Sequence, residues 1–311
     1  MKLGIIMDPI EAIDPTHDTS FTMLLEAQQR DWQIHYLQQQ DLFWLDGKAY
    51  ANSTRITVED SDNYYTPHEQ QTIELSDLDI ILMRKDPPVD IPYIYTTYFL
   101  DHAKANGSLV VNDPEALRNT NEKFIITHFP QCCAPTLIAT DSKTIQSFFA
   151  EHQDIIVKPL DGMAGRDVFR VQDETTLLEK IDYLTQQQTL PLMAQCYLPE
   201  IAQGDKRIIM INGEPIMHAL ARFPAEGSVR ANLAAGGRGE VMPLTEREQW
   251  ICQQVGPYLK ANGILFAGLD VIGDYLTEIN VTSPTCVREI EADADEKITQ
   301  TFFDTLVKKL S

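Results

Sequence analysis

Four short apolar runs, KLGIIMD, QIHYL, DLDIILMRKDPP and SLVVND, recur through residues 1–113 with stretches of helical spacing between them. In SFTMLLEAQQRDW the residues Phe21, Leu24 and Leu25 share a helical face, and YIYTTYFLDHAKANG closes at Gly107. Apolar strands that alternate with helices bury both faces of a parallel sheet. The expected class is α/β. Ligands of such sheets bind beyond the carboxyl ends of the strands, which is where MRKDPP puts Arg84, Lys85 and Asp86. Only residues 40–75 break the alternation, and they read as a hairpin at Asp46-Gly47 followed by a polar excursion.

The pattern changes near NDPEALRNTNEKF, where Asp113 caps a short helix with Pro114 at its first position. Residues 155–223 read as antiparallel strands with one helix near 174–187. KRIIMI-NG-EPIMHALA is a hairpin turning on Asn212-Gly213. A long helix follows, capped by Thr245 and stopped by Gly263. The C-terminal part is therefore α+β in character, and 311 residues suffice for two domains.

Charge narrows the function. With 25 Lys and Arg against 46 Asp and Glu, the formal net charge is −21, which disfavours nucleic acid or an anionic membrane as partner. Five cysteines without Cys-x-x-Cys spacing give neither a disulfide framework nor a zinc site. The expectation is a cytoplasmic protein.

Three segments could carry chemistry. In DIIVKPLDGMAGRDVFRV, Lys158 precedes a turn holding Gly162 and Gly165, a place where backbone N–H groups and a lysine could meet phosphates. The spacing is not that of a Walker loop, and taken alone the segment is a plain glycine hairpin. RFPAEGSVRANLAAGGRGE, residues 222–240, has no strand or helix period, three arginines and four glycines. Such a loop is either a lid or a surface excursion. In ILFAGLDVIGD and YLTEINVTSPT, Asp270 and the pair Glu278 and Asn280 lie opposite the apolar positions. An odd-length loop or a bulge would bring all three onto one face, and the apolar parity favours the odd loop. Two carboxylates and an amide suit magnesium, which keeps waters and takes further ligands from phosphate. Alone, the strand reads better as a water-facing one.

Taken in order, NEKF, IIVKPLDGMAG, MAQCYLPEI, GDKRI, the arginine- and glycine-rich segment and LTEINVTSPT resemble the ATP-grasp ligases, and among them the bacterial glutathione synthetases. KLGIIMDPI, ILMRKDPP and VVNDPEALRNTNEK extend the likeness over nearly the whole chain. The resemblance implies an N-terminal domain over 1–122 and an ATP-grasp domain over 123–311. Within the latter it implies a lid subdomain at about 123–199 and a flexible loop at about 223–240. It implies ATP as cofactor with Mg²⁺ or Mn²⁺, γ-glutamylcysteine and glycine as substrates, and a homotetramer.

Carried over by motif, Lys123 and Lys158 would bind nucleotide phosphates with the backbone of the Gly162–Gly165 turn. Gln195, Cys196, Tyr197 and Leu198 would form the adenine hinge, and Asp205 would hold the ribose. Asp270, Glu278 and Asn280 would ligate the metal. Arg222, Lys158 and Arg207 would be catalytic, Arg222 facing the transferring phosphoryl group. Arg84, Arg222, Arg230, Asn232, Ser283 and Thr285 would contact the substrates. The family turn commonly reads Gly-Gly where this chain has Ala164-Gly165, which puts the phosphate contact there in question. The competing readings are another ATP-grasp carboxylate-amine ligase, such as a D-alanine dipeptide type, and a non-catalytic nucleotide-binding regulator. The presence of all the metal and phosphate residues disfavours the second.

Overall fold

The computed structural model describes residues 1–163, 165–223 and 238–310. Ala164, Arg230 and Asn232 therefore lie outside the described residues, as does most of the expected loop at 223–240.

The first part contains β1 (Lys2–Ile6), α1 (Thr19–Gln29), β2 (Gln33–Leu37), β3 (Leu42–Leu45), β4 (Lys48–Val58) and β5 (Tyr65–Glu74). It continues with β6 (Ile80–Met83), α2 (Ile91–Ala105), β7 (Leu109–Val111) and α3 (Pro114–Asn119). Strands β2, β1, β6 and β7 are parallel neighbours, as the alternation predicts. Against β2 lies antiparallel β4, flanked in turn by β3 and β5, so the sheet is mixed. Asp46 and Gly47 both have positive φ, at 48° and 88°, the backbone a two-residue hairpin turn needs. The expected polar excursion is instead a second hairpin, β4–β5. Its outer strand, TPHEQQ, is almost wholly exposed and so carries no apolar alternation to betray it.

The second part begins with β8 (Thr136–Ala139), α4 (Ser142–His152), β9 (Ile155–Pro159), β10 (Phe169–Val171), α5 (Glu174–Thr185) and β11 (Leu192–Cys196). These strands form an antiparallel sheet in the order β10-β9-β11-β8, packed on α4 and α5 around Ile145, Val157, Leu177 and Ile181. Then come β12 (Asp205–Ile211), β13 (Glu214–Phe223), β14 (Arg238–Pro243), α6 (Glu246–Ala261), β15 (Phe266–Ile272), β16 (Tyr275–Asn280), α7 (Val287–Asp293) and α8 (Ile298–Leu310). The third sheet is antiparallel, ordered β14-β13-β12-β15-β16. The two ends of the arginine- and glycine-rich segment are thus strand, with Arg222 opposite Gly239 and Phe223 opposite Arg238.

One side chain joins the first and third sheets. Asn112, 4% exposed, donates from Nδ2 to the carbonyls of Phe266 and Val281, both at 2.7 Å. Its Oδ1 accepts from the N–H groups of Leu265 (2.8 Å) and Phe266 (2.9 Å). All its hydrogen-bonding capacity is spent inside the protein, so burying it costs little and fixes one sheet against the other. No helix among the described residues is long and apolar enough to cross a membrane.

Candidate active site

A cleft of about 1050 Å³ opens between the four-stranded and five-stranded sheets and extends to the carboxyl end of β6 and the start of α7. The β15–β16 hairpin builds its charged floor. Its turn is the two-residue Gly273-Asp274, with Ile272 opposite Tyr275 and Val271 opposite Leu276. The register then slips by one, because Thr277 is bulged out, and Asp270 pairs with Glu278 and Gly268 with Asn280. Opposed residues share a face, so all three oxygen-bearing side chains point into the cleft. Parity is restored by the bulge and not by the odd loop that the apolar pattern favoured. A bulged residue is released from the ladder, and the Thr277 carbonyl accepts from Lys158 Nζ at 3.3 Å while its Oγ1 bonds to the Asp270 carbonyl at 3.1 Å.

Buried charges surround this floor. Arg207 grips Asp270 with both arms, Nε to Oδ1 at 2.6 Å and Nη2 to Oδ2 at 3.1 Å. Gly268 makes room for this, since a Cβ there would stand 2.8 Å from Arg207 Cδ. Arg222 lies 3.1 Å from Asp270 and 2.6 Å from Asp205. Asn280 Nδ2 donates to Asp270 Oδ2 at 3.2 Å. Lys123 bonds the Gly162 carbonyl and Glu278 Oε1, the latter at 3.0 Å.

These contacts set the protonation states. Burial opposes the charge on Asp270, but Arg207 and Arg222 outweigh it and hold the carboxyl well below the usual carboxylate range. Burial wins at Asp205, pushed up to about 6 although Arg222 pulls the other way. Burial, aided by Lys123, also lowers Lys158 to about 8 against the pull of Glu278. The Cys286 thiol is pushed up by burial, which disfavours the reactive thiolate.

Most of the expected residues line the cleft: Lys123, Lys158, Gly162, Gly165, Gln195 to Leu198, Asp205, Arg207, Asp270, Glu278, Asn280, Ser283 and Thr285. Gly165 has φ +70°, a conformation suited to glycine. Two expected residues stand back. Arg222 is only 2% exposed and lies behind Asp205 and Asp270. Arg84, also buried, spans inward to Ser20 Oγ (3.0 Å) and the Pro284 carbonyl (2.9 Å), tying β6 to the turn that carries Ser283. At the hinge, the N–H groups of Cys196 and Tyr197 are already bonded to the carbonyls of Pro135 (3.1 Å) and Asp154 (3.0 Å). The Tyr197 ring is covered by the Arg170 guanidinium at 3.6 Å, and Arg170 is itself locked bidentately on Asp154.

Comparison with known proteins fits this geometry. The family model described as "Prokaryotic glutathione synthetase, N-terminal domain" matches residues 1–118, and "Prokaryotic glutathione synthetase, ATP-grasp domain" matches residues 122–295. The chain belongs to the prokaryotic glutathione synthetase family. It is 51% identical to a glutathione synthetase of Pseudomonas putida, covering 100% of this chain and 98% of that protein. It is 50% identical to one of Yersinia pestis, covering 100% and 98%. Among solved structures, D-cycloserine synthetase DcsG superposes with a TM-score of 0.71 at 14% identity, covering both chains fully. ATP-grasp ligase PsnB, complexed with a minimal precursor, Mg and ADP, gives 0.63 at 16%, covering 99% and 98%. At such identities these two show the fold.

Glutathione synthetases of this family are ATP-dependent ligases, so ATP and a divalent cation are implied. The floor fits such a cation. Its donors are hard oxygens, and Asp270 and Glu278 already hold positive groups within 3.1 Å. No group of three or more His, Cys, Asp or Glu side chains among the described residues is placed to hold a metal ion by itself. Two carboxylates and an amide would leave coordination positions for phosphate oxygens and water. Sequence reading passed over Glu122, which borders the cleft and binds the turn after β16. Its partners lie about 160 positions away in the chain, and the only local signal was its place beside Lys123.

Proposed function

We propose that this cleft joins the free carboxylate of the cysteinyl residue of γ-glutamylcysteine to the amine of glycine, forming glutathione while ATP becomes ADP and phosphate. What carries this reading is the meeting, in one cleft, of three cations (Lys123, Lys158 and Arg207) with the oxygen donors Asp270, Glu278 and Asn280. That is the charge pattern a triphosphate needs at its reacting end. In this reading the dipeptide carboxylate attacks the γ-phosphorus and ADP leaves. Glycine's amine then attacks the acylphosphate carbonyl, phosphate departs, and the amine proton passes to solvent or phosphate. No side-chain nucleophile is required.

Each residue has a task in this scheme. Lys158, and Lys123 once it exchanges Glu278 for phosphate, offset negative charge on the transferring group. Arg207 faces the cleft and stabilises the same charge, while Arg222 acts from behind by neutralising Asp205 and Asp270. Asp205 Oδ1 is buried with no partner among the described residues, an acceptor suited to a ribose hydroxyl. Contacts to the base fall to hinge carbonyls and to the Leu198 end, since two hinge N–H groups are taken. A magnesium ion, or manganese in its place, held by Asp270, Glu278 and Asn280 would supply Lewis-acid neutralisation of phosphate charge.

The division at residue 122 belongs to the same reading, with the lid over 123–199 closing on the floor and the segment between β13 and β14 excluding water from the acylphosphate. A homotetramer is expected, and light scattering measures it. The decisive assay couples ADP release to defined acceptors. Turnover is expected with γ-glutamylcysteine plus glycine. Absence of ADP release with that pair, alongside release with a D-amino acid pair, would replace this substrate assignment.

A further inference from the structure

Strand β16 ends at Asn280, and beyond it Val281 and Thr282, both buried, pair with no strand among the described residues, so their N–H groups cannot rely on water. Glu122 supplies the acceptors. One carboxylate oxygen, Oε1, accepts from the N–H of Val281 (2.7 Å), the N–H of Thr282 (2.9 Å) and the Thr282 hydroxyl (2.9 Å). The Glu122 carbonyl accepts from the N–H of Ile279 at 2.9 Å. A single residue thus holds the backbone on both sides of Asn280. Its neighbours reach the opposite wall: Asn121 Nδ2 donates to the Leu160 carbonyl at 3.0 Å, and Lys123 to the Gly162 carbonyl. Ser283, the next residue along, donates to Asp86 Oδ1.

We propose that Glu122 is a positioning residue for the reaction, registering the end of β16 and the turn after it so that Asn280 faces the phosphate end and Ser283 the substrate end of the cleft. The proposal rests on the function given above. The side chain is suited to the task because one accepting oxygen can serve three donors that lie close together. Without it, two backbone donors would have to find new acceptors, and the turn would shift. A misplacement on the order of 1 Å can cost about 10²-fold in rate without removing any reacting group.

The test uses the full chain with Glu122→Ala, Glu122→Gln and Thr282→Val. Steady-state kinetics give kcat and the KM values. A titration of Mn²⁺ in the presence of ADP, read by electron paramagnetic resonance, gives metal affinity independently of turnover. Glu122→Ala is expected to lower kcat by about 10- to 100-fold. It should raise the KM of glycine and weaken Mn²⁺ binding several-fold, while metal-free ADP binding changes by less than about twofold. Glu122→Gln keeps the accepting oxygen and should recover most of each loss. Thr282→Val, close to isosteric, removes one donor of three and should move the same parameters in the same direction by about two- to fivefold. The inference is overturned if these variants change only the melting temperature, or if Gln is as damaging as Ala. Should the wild-type protein itself release no ADP with γ-glutamylcysteine and glycine, the substrate assignment falls. The Mn²⁺ titration still decides the role of Glu122 in that case.

Discussion

The wall of the cleft formed by the four-stranded sheet presents Ile156, Val168 and the hinge from Cys196 to Leu198, with Lys158 as its buried cation, while the wall formed by the five-stranded sheet presents Arg207, Asp270 and Glu278. The four-stranded sheet has an apolar core between its strands and α4 and α5, with Ile155, Val157 and Leu192 at 0% exposure. The five-stranded sheet keeps apolar residues on its other face, such as Leu269 and Ile279, and turns buried ions toward the cleft. A nucleobase offers planar apolar surface and a few hydrogen bonds, so shape and backbone suffice to hold it. A triphosphate offers only charge and must be met by fixed charge. The difference teaches that where burying ions costs stability, the cost marks the reacting end.

The largest test of this contrast is Asp270→Asn. It leaves Arg207 and Arg222 buried beside a neutral amide, and breaking such a group costs about 3–5 kcal/mol. Urea denaturation should register that loss together with loss of ligation, and a variant as stable as wild type would mean the ionic floor is not integral to the sheet. Next, Glu278→Gln keeps an acceptor oxygen for the buried Lys123 and, at 21% exposure, should cost less stability than Asp270→Asn. It should cut kcat by about 10²–10³-fold, and near-normal turnover at ordinary magnesium concentrations would remove the metal assignment.

Lys158 sharpens the comparison through pH. Its folded pKa of about 8 lies below the ordinary 10.5. Burial therefore costs stability in full while the amine is charged, below about pH 8. The cost is relieved as pH rises from about 8 toward 10.5, by up to roughly 3 kcal/mol. Wild type should gain stability over Lys158→Met across that window, and parallel pH profiles would refute the burial argument. Nucleotide phosphates should recharge the amine, so calorimetry at pH 8.5 in buffers of different ionisation enthalpy should show proton uptake that the Met variant lacks. The smallest effect belongs to the apolar wall. Arg170→Ala uncovers Tyr197 and frees Asp154, and should raise the KM for ATP several-fold with kcat retained, about 1 kcal/mol in binding. A fall in kcat instead would mean the two walls do not divide the work as described.

Much of this was legible in the chain because it was local. The turns at Asp46-Gly47 and Asn212-Gly213 announce themselves, since both positions in each need positive φ and those residues tolerate it. Asp270, Glu278 and Asn280 could be placed together from strand alternation, given an odd loop or a bulge between them. The cause of their convergence could not, because a bulge at Thr277 and an odd loop leave the same apolar pattern. Strand β5 was hidden by its exposure, and β8 and α4 by weak patterning: β8 is half-buried throughout and α4 buries only Ile145 and Phe149. Arg222 was expected at the reacting group because the family resemblance put it there. Its inward turn depends on Asp205, 17 positions earlier and directly across the ladder. Glu122 and Arg84 act on partners about 160 and 200 positions away, beyond any spacing rule.

The bulge at Thr277 gives this hairpin an unusual tolerance to change in length. Losing that one residue would straighten the ladder into an ordinary tight hairpin with Asp270 and the glutamate still abreast. It would also delete the carbonyl against which the Lys158 amine rests. Here, then, a single-codon deletion inside a strand would spare the acidic pair and strip a lysine of its support, separating two contributions that point substitutions blur.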